Sequence, residues 1–149
     1  PDTGESPRLT AEVWEGPWRY QDSTVEETKE FPLSEEGLEE LRGWLWRNGF
    51  LCLREKIVLE GETLYSIILA RQGGAVPMTP AEEWAGRQYP GMEDPLRGLL
   101  LDHLLGRVRR ALDGMARSRA PAEARRRELE QVLEGLMEMR KEWDAWQQR

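Results

Sequence analysis

The chain has a single cysteine, Cys52, and a single histidine, His103, among 149 residues. Two such residues cannot furnish a four-ligand zinc site, and a lone cysteine cannot close an intrachain disulfide, so no metal-binding residue is expected. Long apolar runs are missing as well. Nothing approaches the roughly 18 residues that a spanning helix needs, so no membrane partner is expected. Residues 1–10 are polar and lack the apolar stretch of a secretory signal, which makes a cytoplasmic address the expectation. Lysine is scarce: Lys29, Lys56 and Lys141 stand beside 18 arginines, and Asn48 is the sole asparagine. That bias fits a GC-rich genome or a warm source.

Catalytic constellations are equally scarce. No GxGxxG or GxxxxGK[ST] string occurs, Gly73-Gly74 has no strand-to-helix phosphate cradle around it, and Ser66 lies in an apolar run without a GxSxG elbow. His103 has no nucleophile near it in sequence and reads as a partly exposed helix histidine. Cys52 reads as a small hydrophobe. The pairs Glu35-Glu36, Glu39-Glu40 and Glu82-Glu83 read as solvated helix faces rather than acid/base dyads. No catalytic residue is assigned.

What is present suffices for one folded domain, or a small domain with an appended element: 39% hydrophobic and 33% charged residues. Residues 9–31 alternate weakly around Gly16-Pro17 and predict one or two strands. Ser34 is placed to cap a helix with Glu35 and Glu36 in its first turn, and Leu38, Leu41 and Leu45 mark its buried stripe. Asn48-Gly49 ends that helix in a left-handed residue, with Phe50 folding back on the last turn. Residues 51–59 and 63–70 then predict an antiparallel hairpin around Glu60-Gly61-Glu62. The second of these runs is almost continuously apolar and is expected to be covered on both faces.

Residues 76–95 form a Gly/Pro-rich connector with at most one helical turn, at 81–84. Two long helices follow. Asp94 is the expected N-cap of the first, with Pro95 at its first position. Leu101, Leu104, Val108, Ala111 and Met115 step by three and four residues along it. The second helix begins near Pro121 and carries Leu129, Val132, Leu136, Met139, Trp143 and Trp146 in the same rhythm. Heptad seams on two helices joined by a short turn predict an antiparallel coiled-coil hairpin.

Charge divides unevenly along the chain. The net charge is −7, yet residues 107–127 hold eight arginines against Asp113 and Glu123. Arg107, Arg109, Arg110, Arg117, Arg119, Arg125, Arg126 and Arg127 are expected to gather at the turn end of the hairpin. Converging arginines bind phosphates by releasing condensed counterions, so this basic tip is the candidate nucleic-acid site. Pairing with Glu123, Glu128 and Glu130 would instead make it a solvated helix face.

The string LEELRGWLWRNGFLCLREKIVLEGETLYSIILARQGG, residues 38–74, resembles the C-terminal end of the catalytic domain in TrmK-type tRNA (adenine-N1)-methyltransferases. A helix of the form LRxWLxxNGF leads there into a hairpin of the form xExxVxExGxxYxIIxA. Leu41, Trp44, Leu45, Asn48, Gly49, Phe50, Glu55, Val58, Glu60, Tyr65, Ile67, Ile68 and Ala70 fit that pattern, and Gly61 falls one position before its glycine. Asp94-Pro95-Leu96 resembles the "NPL" passage that opens the family's coiled-coil extension. The resemblance implies a Rossmann-like domain using S-adenosylmethionine to methylate an adenine of tRNA, with the extension helping to hold the tRNA.

The DxGxDHxxLP cofactor loop and the GMGG motif of that family have no counterpart here. The chain therefore reads as a truncated member that binds no S-adenosylmethionine alone. Its expected architecture is an α/β fragment, a helix plus antiparallel β-hairpin, followed by an antiparallel helical coiled coil. Residues 1–33 are unassigned, 34–75 form the methyltransferase-like part, 76–95 the connector and 96–149 the helical hairpin. The open edge of a partial sheet leaves room for a homodimer. The alternative function is a non-enzymatic protein-interaction module built on the hairpin.

Overall fold

A computed structural model describes residues 8–14, 25–32, 37–119 and 122–148. Along the chain these form β1 (Arg8–Trp14), β2 (Val25–Pro32), α1 (Gly37–Arg47), β3 (Phe50–Glu60), β4 (Thr63–Gln72), α2 (Pro80–Ala85), α3 (Arg97–Ala116) and α4 (Glu123–Gln147). The chain divides into two compact units, one of residues 1–55 with 68–77 and the other of residues 56–67 with 78–149. The predicted cap Ser34 and the helix start at Pro121 lie outside the described residues; α4 proper begins at Glu123.

In the first unit β1 and β2 pair antiparallel, from Arg8↔Pro32 to Trp14↔Val25, with an irregularity between Val13 and Trp14. The stripe read on α1 is buried at Leu41 and Leu45, which cluster with Phe50 and Ala70. Gly49 adopts φ +88°, the left-handed conformation that stops a helix. Asn48 Nδ2 donates to the Trp44 carbonyl at 2.8 Å, and Phe50 stacks on Trp44 at 5.8 Å between ring centroids. Arg42, on the same helix, is fully buried and its guanidinium grips Glu55, with Nη2 2.7 Å and Nε 3.1 Å from Oε1. A two-pronged grip of this kind supplies the hydrogen bonds that make a buried charge tolerable.

β3 and β4 form a two-stranded sheet. The two-residue connection, Gly61 at φ +63° followed by Glu62, makes the pair antiparallel. In the second unit Ile57 and Leu64 pack into the helical core. The expected cover over both faces of β4 is not found, for Tyr65 and Ile67 are 42% and 59% exposed. Side chains alternate across a strand, so covering both faces needs a layer on each side, and a ribbon of two strands lacks one here.

The second unit is built on three helices. Thr79 and Glu82 form a reciprocal capping box, Oγ1 of Thr79 accepting from Glu82 N at 3.2 Å and Oε1 of Glu82 accepting from Thr79 N at 2.9 Å. Pro80 occupies the first helical turn. This box makes α2 a real helix where the sequence suggested little more than a connector. Its Ala81, Trp84 and Ala85 are buried in one core with Leu100, Leu101, Leu104, Leu105 and Val108 of α3 and Leu129, Val132, Leu136, Met139 and Trp143 of α4. Small residues let α2 and α4 touch: a Cβ on Gly135 would sit 2.4 Å from Cβ of Ala81.

α3 and α4 run antiparallel. The Asp102 carboxylate near the start of α3 pairs at 3.0 Å with Arg140 near the end of α4, and Gly98 lies beside Trp143. α3 begins two residues later than expected, with Leu96 at its N-cap position. Asp94 instead caps the turn leading in, its Oδ1 accepting from Leu96 N at 3.2 Å and its carbonyl from Arg97 N at 3.1 Å. Pro95 thus stands in that turn rather than in the helix.

Arg97 is the hinge pin of the trio. It is buried, and its guanidinium donates to the carbonyls of Ala85 and Gly86 and to Gln88 Oε1. Those carbonyls belong to the C-terminal end of α2, where unsatisfied acceptors and the helix dipole favour a cation. Gln88 Nε2 extends the network to the Met139 carbonyl of α4 at 2.8 Å.

Candidate nucleic-acid interface

Antiparallel pairing brings the last turns of α3 and the first turns of α4 to one end of the layer. At a rise of about 1.5 Å per residue, Arg109 and Arg110 lie about 10 Å or less from the end of α3, and Arg125, Arg126 and Arg127 within about 6 Å of the start of α4. Arg117 and Arg119 occupy the segment just after α3. Ala122, at the N-cap position of α4, offers no side-chain cap, so the first N–H groups of a 25-residue helix add to the positive character of this end.

The eight predicted arginines divide into three groups. Arg107 does not belong to the tip. Its guanidinium carbon lies 4.1 Å from the centroid of the Trp84 ring, a cation–π contact that fastens α3 to α2. The distance in sequence between these two residues left no periodic signal from which to foresee the contact.

Arg125 and Arg126 form the second group and take the solvated-pair arrangement. Arg125 Nη1 lies 3.1 Å from Glu128, and Arg126 Nη2 lies 2.7 Å from Glu123, with Glu130 at 3.9 Å. These partners are about half exposed, and such helix-surface pairs contribute only about 0.5 kcal/mol or less. An incoming phosphate can displace them.

Arg109, Arg110, Arg117, Arg119 and Arg127 are the third group. All five are exposed, and none has an ion-pair partner among the described residues. Asp113, the acid nearest to Arg109 and Arg110 in sequence, is exposed and engages neither. The result is a cluster of solvated guanidinium groups, able to meet phosphate oxygens in pairs.

His103 is exposed on α3, Cys52 is half-buried in β3, and the described residues hold no group of three or more potential metal ligands. No helix among them is long and apolar enough to cross a membrane.

No family model matches this chain, and no curated protein matches it. Two solved structures share its fold. One is an uncharacterized protein from Listeria monocytogenes serotype 4b, with a TM-score of 0.51 and 19% identity over 68% of this chain. The other is a "putative tRNA (m1A22) methyltransferase" from Streptococcus pneumoniae, with a TM-score of 0.50 and 18% identity over 69% of this chain. The chain spans 46% and 45% of those proteins, a little under half of each.

Methyltransferase folds place an adenosine cofactor at the carboxyl ends of parallel strands. Both sheets among the described residues are two-stranded and their pairing is antiparallel. The described residues therefore do not fit S-adenosylmethionine, and none is assigned to it.

Proposed function

We propose that this chain corresponds to the C-terminal part of a TrmK-like tRNA (adenine-N1)-methyltransferase and holds tRNA through the loop end of α3 and α4. On this reading the two helices are the family's coiled-coil extension, and the chemistry resides in a cofactor-binding half that these residues do not form. One observation carries the reading: five exposed arginines without ion-pair partners gather at one end of a fold shared with the streptococcal protein. Contacts of this kind fix the position of a nucleic acid backbone and carry no sequence information, which suits a holding role.

The test is a titration of the 149-residue chain with tRNA at two salt concentrations. Affinity falls steeply as salt rises, because each neutralised phosphate releases counterion. Arg117→Glu combined with Arg119→Glu lowers it at least tenfold at the lower salt, about 1.4 kcal/mol. Arg125→Glu combined with Arg126→Glu has the smaller effect, since in the unaltered chain a phosphate must first displace Glu128 and Glu123 from those two guanidinium groups. Binding that ignores both salt and the Arg117/Arg119 change overturns the proposal and favours the protein-interaction role.

A further inference from the structure

At the opposite end of the α3–α4 pair, where α4 finishes and the chain enters α3, an open-sided cavity of about 400 Å³ lies between two tryptophans and two acids. Trp143 and Trp146 meet edge to face at 6.4 Å between centroids. Glu93 and Asp94 line the same space, with Gly91 and Gln147 at its border. Among the described residues, no arginine or lysine lines it.

Asp94 is the telling residue. It is only 8% exposed. Its Oδ1 is occupied by the Leu96 amide, while Oδ2 has no hydrogen-bond partner among the described residues. Yet the described residues hold no sealed-off polar atom lacking a partner, so Oδ2 keeps some contact with solvent, and Asp94 lines this space. A carboxylate oxygen so placed, beside indole rings and a second carboxylate, asks for a donor that is cationic and flat.

We propose that this cavity binds a guanidinium group, presented as an arginine side chain. Guanidinium stacks on an indole face and at the same time directs its forked N–H groups at a carboxylate, whereas a nucleic acid phosphate would be repelled by Glu93 and Asp94. Two described arginines near this end are otherwise engaged: Arg97 on the carbonyls closing α2, and Arg140 on Asp102 and on Asp144 at 3.3 Å. A protein partner or the basic end of a second copy supplies the ligand's arginine. This proposal is independent of tRNA binding.

The experiment titrates the full chain with N-acetyl-arginine amide while the indole N–H resonances of Trp143 and Trp146 are followed by NMR, with the neutral citrulline analogue as control. Saturable shifts at these two indoles, a Kd in the millimolar range and at least tenfold weaker binding of the citrulline compound are expected. Asp94→Asn keeps an acceptor for Leu96 N and so preserves the turn, but weakens arginine binding at least fivefold. An absence of saturable shifts, equal response to both compounds, or shifts produced by nucleoside monophosphates instead overturns the proposal. Sedimentation then separates the sources. Self-association lost on both Asp94→Asn and Arg117→Ser identifies a second copy, and a monomer that binds the amide identifies a protein partner.

Discussion

In the layer of α2, α3 and α4 the seam side chains Leu101, Val108, Val132 and Leu136 vanish completely from solvent, whereas along the β3–β4 ribbon Leu59, Tyr65 and Ile67 stand in water. Both regions are rich in aliphatic residues, chiefly leucine in the helices and leucine with isoleucine in the ribbon. The difference lies in how many neighbours the topology supplies. Each of the three helices finds two partners, so apolar stripes wider than a coiled-coil seam are absorbed. A two-stranded ribbon has two faces, and in the second unit only Ile57 and Leu64 are drawn into the core. Hydrophobic composition therefore says little about burial until the number of packing layers is known.

The sharpest way to break this contrast is Leu136→Ala. It removes a fully buried side chain and lowers unfolding free energy by about 3 kcal/mol, read from the urea midpoint at unchanged m-value. Gly135→Ala tests the close contact between α2 and α4, because the added methyl meets Ala81. Overpacking at such a site costs about 2 kcal/mol, and pairing it with Ala81→Gly recovers most of the loss. Ile67→Ser stands at the other extreme. Its side chain is already 59% exposed, so stability moves by about 0.5 kcal/mol or less. A large loss there would show that the ribbon face is covered in solution.

Much of the helical layer was legible because a period of three and four residues needs no distant information. Leu101, Leu104 and Val108, and Leu129 through Trp143, are buried as that period requires. The seam fails at Ala111, which is exposed, and widens to Leu100 and Leu105 because α2 covers a third side. Helix α2 was read only as a single turn at 81–84 because prolines and glycines surround it, although Thr79 and Glu82 spell a capping box at the right spacing. The hairpin strands were legible from turn chemistry, and their exposure was not, since burial depends on layers outside the strand. Within the basic cluster, composition located the arginines. Only geometry could separate Arg107 on Trp84 from the solvated five, because aromatic contacts between distant segments leave no local spacing. Asp94 was noticed as a cap, and its second oxygen acquires meaning only beside Trp143 and Trp146.

The six-residue helix α2 carries a kinetic consequence. A helix so short has no stability of its own in water, since nucleation is unfavourable and few bonds follow it. It persists because Arg97 holds its closing carbonyls while Trp84 and Ala81 rest on α3 and α4. Its amide protons, such as those of Glu83 and Gly86 bonded to Thr79 and Glu82, thus exchange with solvent only when the three-helix packing opens. The smallest helix serves as the molecule's internal clock for the breathing of its largest core.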